Sequence, residues 1–321
     1  MVLVRLLDIT KINMSPLVSI IMNCRNGEKF LQESLNSVIQ QTYKNWELIF
    51  VDNRSKDNSK NIFEKYGDSR FKYIYLNEEV NLGTARQEAL KNCSGDFISF
   101  LDTDDLWFEK KLEKQMEFFQ DKDVGMVISN TVFFSDKKSK KFYKKDPPSG
   151  FVFFDLLKNY FISLETLVCK KEYLKKISFE FDKNFSMISD LDLTIRLSQI
   201  CKLSYCPLVL SKWRVHSSSD SWNKKNLFFL EKMKFIEKFK LGNSDINQQK
   251  FIEFKKIFIK NANFSLLFNQ IEFGEKRLEI IKNLNNKNFH FYQFCILLFL
   301  ILIPFNKKLI KFYRKIFSIT P

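Results

Sequence analysis

"FISFLDTDDLW", Phe97 to Trp107, is the stretch on which the reading of this chain turns. A short apolar run breaks into three carboxylates, Asp102, Asp104 and Asp105, within four positions. Like charges this close repel, and each resists ionising beside the others. Two arrangements tolerate them. One is a polar turn running into a helix that starts near Trp107, with an aspartate as its cap. The other is a site built around a cation. Magnesium and manganese commonly use one or two carboxylates and complete their shell with phosphate oxygens and water. Alternate residues of an extended segment point the same way, so Asp102 and Asp104 share one side and Asp105 faces the other.

Upstream, "PLVSIIMNC" (Pro16–Cys24), "WELIFVD" (Trp46–Asp52) and "FKYIYL" (Phe71–Leu76) read as buried strands, short and rich in β-branched and aromatic residues. Between them, "FLQESLNSVIQQ" places Leu31, Leu35, Val38 and Ile39 at helical spacing. "RSKDNSKNIFEKY" opens a second helix, and "NLGTARQEALKNC" is a loop turning into a third. Strands alternating with helices predict a mostly parallel central sheet flanked by helices. In such folds ligands bind beyond the carboxyl ends of the strands. Those ends carry Asn23–Arg25, Asp52–Asn53, Asn77–Glu79 and Asp102–Asp105. The polar residues therefore converge on one edge.

Downstream, "DLWFEKKLEKQMEFFQ" is predicted helical and "VGMVISNTVFF" a strand. The lysine-rich "SDKKSKKFYKKDPPSG" reads as a mobile loop by composition. "SDLDLTIRLSQI" has a helical period, "KLSYCPLVLSKWRVH" is strand-like, and residues 222–288 read as amphipathic helices.

With 321 residues and 45% apolar content, the chain can bury a large core. The net charge of +15 is uneven: residues 1–215 carry +4 and residues 216–321 carry +11. A basic C-terminal third points to an anionic partner, a lipid surface or nucleic acid, or else to a solvated basic face. The six cysteines form no CxxC pair, which argues against a zinc ribbon, gives no support for a disulfide framework and suits a reducing compartment. The first residues lack the apolar stretch and cleavage site of a secretory signal.

Order, spacing and residue types over roughly Ser15–Gln115 resemble the nucleotide-sugar-binding domain of family 2 glycosyltransferases, with a weaker likeness to about Ser221. The resemblance implies a GT-A fold and an inverting transfer of a sugar from a nucleotide-diphospho-sugar to a hydroxyl of a glycan or lipid-linked acceptor. It assigns the donor nucleotide to Asn23, Arg25, Asn26, Asp52 and Asn53, with Arg86 and Asp102 beside it. Mn²⁺ or Mg²⁺ falls to Asp104 and Asp105, with His216 of "WRVHSSSDS" as a further contact. Asp190 in "FSMISDLDLTIRL" matches the catalytic base, although Ser189 stands where the family has Glu. Read without the resemblance, Asp190 would serve as a helix N-cap. Arg25 replaces the usual Tyr, Asn53 replaces an Asp, and Arg54 replaces a Gly.

"FCILLFLILI" (Phe294–Ile303) is too short to span a bilayer and is followed by a basic stretch. It predicts either peripheral attachment to an anionic leaflet or a final core helix. The expected organisation is a leader over 1–14, a glycosyltransferase domain over 15–221, a helical extension over 222–288 and an apolar, basic tail over 289–321. The expected setting is cytoplasmic, at the inner face of the membrane, in surface-polysaccharide or lipopolysaccharide synthesis, with no nucleic-acid partner. Two rivals stand beside this reading. A nucleotidyltransferase would need a glycine-rich triphosphate loop, which "NCRNGEKFL" is not. A non-catalytic basic anion-binding protein would account for the charge alone.

Overall fold

The computed structural model describes residues 15–135, 138–177, 181–239 and 248–272. The leader, the apolar run at 294–303 and the rest of the tail lie outside the described residues.

Four apolar runs form the parallel half of the sheet. β1 (Val18–Cys24) lies between β2 (Trp46–Asp52) and β4 (Phe97–Phe100), and β3 (Phe71–Tyr75) flanks β2. One face packs on α1 (Leu31–Ile39) and α2 (Ser59–Glu64) through Ile20, Met22, Leu35, Phe50 and Phe63. The other packs on α3 (Leu82–Lys91) through Ile21, Val51, Ala85 and Ala89. Covering both faces removes any reason for polar alternation, which is why these strands read as continuous apolar runs.

The remaining strands make the sheet mixed. After β5 (Leu106–Trp107) and α4 (Lys111–Met116), the long β6 (Val124–Ser135) runs through the second half. A lysine-rich strand, β7 (Lys138–Lys141), follows it, then α5 (Phe153–Lys158), β8 (Val168–Lys170) and α6 (Lys171–Leu174). α7 (Ser189–Leu197) leads to β9 (Lys202–Arg214). β8 pairs antiparallel with both β4 and β6, β6 pairs parallel with β9, and β5 closes antiparallel on β9.

Two expectations change here. The segment after the carboxylates is not helical from Trp107: Leu106 and Trp107 pair with Lys212 and Ser211, and the helix begins only at Lys111. Trp107 is buried and donates its indole N–H to the Glu165 carbonyl, so packing decides against helix at that point. The lysine-rich segment is likewise not all loop, because Lys138–Lys141 folds back on Val132–Ser135 as a hairpin strand.

After α8 (Asp220–Asn223), the C-terminal helices α9 (Lys225–Lys238) and α10 (Gln248–Glu272) share the main core. Phe235, Ile236, Phe239 and Phe251 are buried in the same cluster as Ile21, Val51 and Leu191. The ring of Phe153 on α5 lies 6.0 Å from Phe239 and 6.1 Å from Phe251.

Candidate active site

The three aspartates occupy the turn between β4 and β5, and α1 pins it. Ser34 Oγ reaches the carbonyls of Thr103 (2.8 Å) and Asp105 (2.6 Å). The aspartates then take three different environments. Asp104 is partly open and its Oδ2 lies 2.8 Å from His216 Nε2, bringing together two residues 112 positions apart. Asp105 is buried, and its Oδ1 accepts the backbone N–H of Arg214 at 2.8 Å. Burial, then the neighbouring charges of Asp104 and Glu165, push the Asp105 carboxyl well above the usual range. Asp102 faces Arg86, with 3.5 Å between the charged groups. Desolvation raises the Asp102 carboxyl, Arg86 opposes this, and the charges of Asp104 and Asp190 add to it.

Arg86 is buried on α3 and links two parts of the site. It pairs with Asp102 and donates to Ser189 Oγ at 2.6 Å. Ser189 begins α7 and precedes Asp190. The serine that stands in place of the family's glutamate thus ties the Arg86 guanidinium to the start of α7. Asp190 is not the N-cap, which is Ile188. Its Oδ2 instead accepts the hydroxyl of Tyr160 at 3.0 Å. Burial and the adjacent Asp190 charge hold the Tyr160 phenol well above its usual pKa, so it remains a donor. Asp192 and Arg196 form a buried pair one helical turn apart, 2.6 Å at closest, which braces α7.

The nucleotide candidates lie at the ends of β1 and β2. Asn23 carries a side-chain amide with both polar atoms buried and neither hydrogen-bonded. It sits two residues beyond the Ile21–Phe100 pair on β1, as Asp102 does in the turn after β4. A buried amide without a partner costs free energy unless a ligand supplies one, so Asn23 fits a bound nucleotide. Asp52 is buried, accepting the Ser55 N–H at 2.7 Å and the Tyr73 hydroxyl at 2.6 Å. Asn53 donates to the Val80 carbonyl and accepts the Val80 N–H, so it holds the β3–α3 loop in place. Asn26 joins the two loops, accepting the Lys56 N–H at 2.8 Å. Arg25 pairs with Glu79 at 2.6 Å, with both side chains half exposed.

The metal expectation can be tested on this donor set. Asp104 and His216 already meet, and an ion placed there would take the place of their mutual hydrogen bond. Among the described residues, no three His, Cys, Asp or Glu side chains enclose an ion by themselves. Asp105 is committed to Arg214, and Arg214 itself ties β9 to the turn: its Nε donates to the Asp104 carbonyl and its Nη2 to Glu33. Arg214 supports the loop. Tyr160 and the linking role of Ser189 escape motif reading; Tyr160 lies in "KNYFIS", which carries no signature, and only the fold brings it to Asp190.

Comparison with known proteins agrees with this geometry. The family model described as glycosyl transferase family 2 matches residues 19–190, more than half of the chain. This chain is a family 2 glycosyltransferase. This family 2 enzyme is similar to the Escherichia coli UDP-Glc:alpha-D-GlcNAc-diphosphoundecaprenol beta-1,3-glucosyltransferase WfgD, 34% identical over 65% of this chain and 81% of the relative. It is also similar to a putative teichuronic acid biosynthesis glycosyltransferase of Bacillus subtilis, TuaG, 30% identical over 51% of this chain and 66% of that one. Among solved structures, S. aureus TarS 1-349 in complex with UDP-GlcNAc has a TM-score of 0.65 at 20% identity, covering 84% of this chain and 78% of TarS. The Pyrobaculum calidifontis mannosyltransferase PcManGT, in complex with GDP-Man and Mn²⁺, has a TM-score of 0.62 at 15% identity, covering 95% and 84%. At these identities the two structures speak for the glycosyltransferase fold alone.

Proposed function

We propose that this glycosyltransferase moves a sugar, with inversion, from a uridine-diphospho-sugar to a hydroxyl of a diphospholipid-linked sugar. The observation that carries the reading is the chain of contacts Asp102–Arg86–Ser189, which joins the carboxylate turn to the residue beside Asp190. In this reading the contacts link the donor site to the base. The donor and acceptor classes follow those of the similar E. coli glucosyltransferase.

In this reading the nucleotide lies across the ends of β1 and β2, where the unpaired amide of Asn23 gains partners and Arg25 stacks on the planar base. Asp104 and His216 hold the cation, with Asp102 beside the diphosphate. The nitrogen ligand favours Mn²⁺ over Mg²⁺, which keeps to oxygen. A bound cation supplies Lewis-acid stabilisation for the charge that accumulates on the departing diphosphate. Asp190 takes the proton from the acceptor hydroxyl as that oxygen attacks the anomeric carbon from the face opposite the diphosphate. Tyr160, donating to Asp190 Oδ2, fixes the carboxylate so that its other oxygen meets the acceptor.

A diphospholipid acceptor places the reaction at a membrane surface. No helix among the described residues is long and apolar enough to cross one. The net +11 of residues 216–321 suits peripheral attachment to the anionic inner leaflet from the cytoplasm.

The test is Asp190→Asn. Donor affinity, followed by thermal shift with UDP-sugars and Mn²⁺, should stay within about twofold, while transfer falls by about 10³-fold or more, within the range of general-base catalysis. Near-normal transfer by this variant would refute the assigned base.

A further inference from the structure

Glu231 is a buried carboxylate outside the carboxylate turn. It lies on α9, beyond the stretch that the family model matches, and is 4% exposed. The groups facing it are backbone amides. Its Oε1 accepts the N–H of Ser186 at 3.0 Å, and its Oε2 accepts those of Ser186, Met187 and Ile188 at 3.1, 2.8 and 3.2 Å.

These three consecutive amides lead into α7, whose N-cap Ile188 supplies no side-chain cap. The first N–H groups of a helix lack intrahelical partners, and a row of N–H groups there forms a concave anion site. A carboxylate in that position also gains from the helix dipole. Here the carboxylate arrives from a different element, more than forty residues downstream. Immediately after the three amides come Ser189, which bonds Arg86, and Asp190. The neighbouring packing runs the same way: Phe235, one turn along α9 from Glu231, meets the Phe185 ring at 6.3 Å.

We propose that Glu231 is a positioning residue for sugar transfer: it latches the 186–188 turn and so holds Ser189 and Asp190 in register with the Arg86–Asp102 pair. The helical extension is thereby a working part of the active centre. This inference rests on the reading of Asp190 as the base. Its physical content is geometric, since a shift of about 1 Å in a reacting group costs on the order of a hundredfold in rate.

The experiment uses the full chain with Glu231→Ala, Glu231→Gln, Asp190→Asn and, as a control on the same helix, Glu237→Gln. Turnover is read as UDP released from UDP-glucose with Mn²⁺ and a synthetic GlcNAc-diphospholipid. Backbone amide exchange is read over residues 186–192. Glu231→Ala should lower kcat by about a hundredfold with donor KM within about twofold of the parent, and should speed exchange at Ser186, Met187 and Ile188. Glu231→Gln keeps the shape and one acceptor oxygen, so it should lose about tenfold in kcat, one charge-assisted bond's worth. Glu237→Gln should behave as the parent does. If Glu231→Ala does not fold, Glu231→Gln decides. Unchanged exchange at the three amides, kcat within twofold of the parent, or kcat and donor KM worsening together would each overturn the latch. Normal turnover by Asp190→Asn would overturn the base assignment instead, while the exchange measurement still judges the latch on its own.

Discussion

Arg54 adopts φ +59°, in the left-handed region that L side chains enter at a cost of about 1–2 kcal/mol. The sequence shows arginine where the family carries glycine, and the backbone has kept the conformation that glycine takes freely. Asn26, with φ +56°, solves the same problem differently, because asparagine tolerates this region and its carbonyl is hydrogen-bonded to Lys56. Arg54→Gly should therefore stabilise the protein by up to about 1 kcal/mol, the relieved strain exceeding the extra chain entropy that glycine loses. A rise of a few degrees in Tm by calorimetry is the expected outcome, and a fall would count against the strain. Residue identity was most legible where the sequence pointed to a pairing the fold then made, as at Asp104 and His216, which lie 2.8 Å apart. It was least legible where a side chain has been drawn into another's service. Nothing in the sequence announced that Asp105 accepts the Arg214 amide or that Asn53 grips Val80.

At the scale of elements, α3 and the 182–185 turn approach almost backbone to backbone at Gly83. A Cβ there would stand 2.2 Å from the Phe185 carbonyl oxygen and 2.6 Å from that of Asp182. Neither atom can swing aside as a side-chain tip would. Asn81, the N-cap of α3, donates to the Lys183 carbonyl in the same seam. Gly83→Ala should push the turn away and carry α7 with it, breaking the Arg86–Ser189 bond. The expected readout is a loss of about 1–3 kcal/mol in urea unfolding, the usual cost of overpacking, together with loss of transfer. The strand ends are joined by Glu47, buried on β2. It accepts hydrogen bonds from Ser19, Ser94 and Gly95 and pairs with Lys72 of β3 at 2.6 Å. Burial works against its charge, but the Lys72, Ser19 and Ser94 contacts outweigh it and hold the pKa below the ordinary glutamate value. A depressed carboxylate contributes stability above its unfolded pKa and loses it as pH falls through the folded one. Glu47→Gln should thus cost about 1–3 kcal/mol at neutral pH, and the gap to the parent should close below about pH 4. A gap independent of pH would argue against the charge. The parallel strands and α3 were readable from apolar runs and helical spacing. The pairing of Leu106–Trp107 was not, because two residues carry no period.

For the whole molecule, α9 and α10 pack into the main core. Phe235, Ile236, Phe239 and Phe251 complete the core that also backs the parallel strands. Losing a buried phenylalanine costs about 3–5 kcal/mol, and a domain's entire stability is about 5–15 kcal/mol. A chain ended after residue 221 should therefore lack cooperative thermal unfolding by near-UV circular dichroism and be digested rapidly by trypsin. A stable, folded product would contradict the shared core. The sequence separates these helices from the sheet domain because their resemblance to the family fades there. Their burial depends on contacts with α5 and with Phe185, ahead of α7, that no local pattern announces. The sheet itself has an edge at β7, where Lys138, Ser139, Lys140 and Lys141 are all exposed. An unpaired strand edge is a template on which a second chain can add its own strand. Two such edges approaching each other here would each present a row of ammonium groups. The molecule thus carries its own barrier to edge-to-edge polymerisation, and that barrier should weaken as salt screens it.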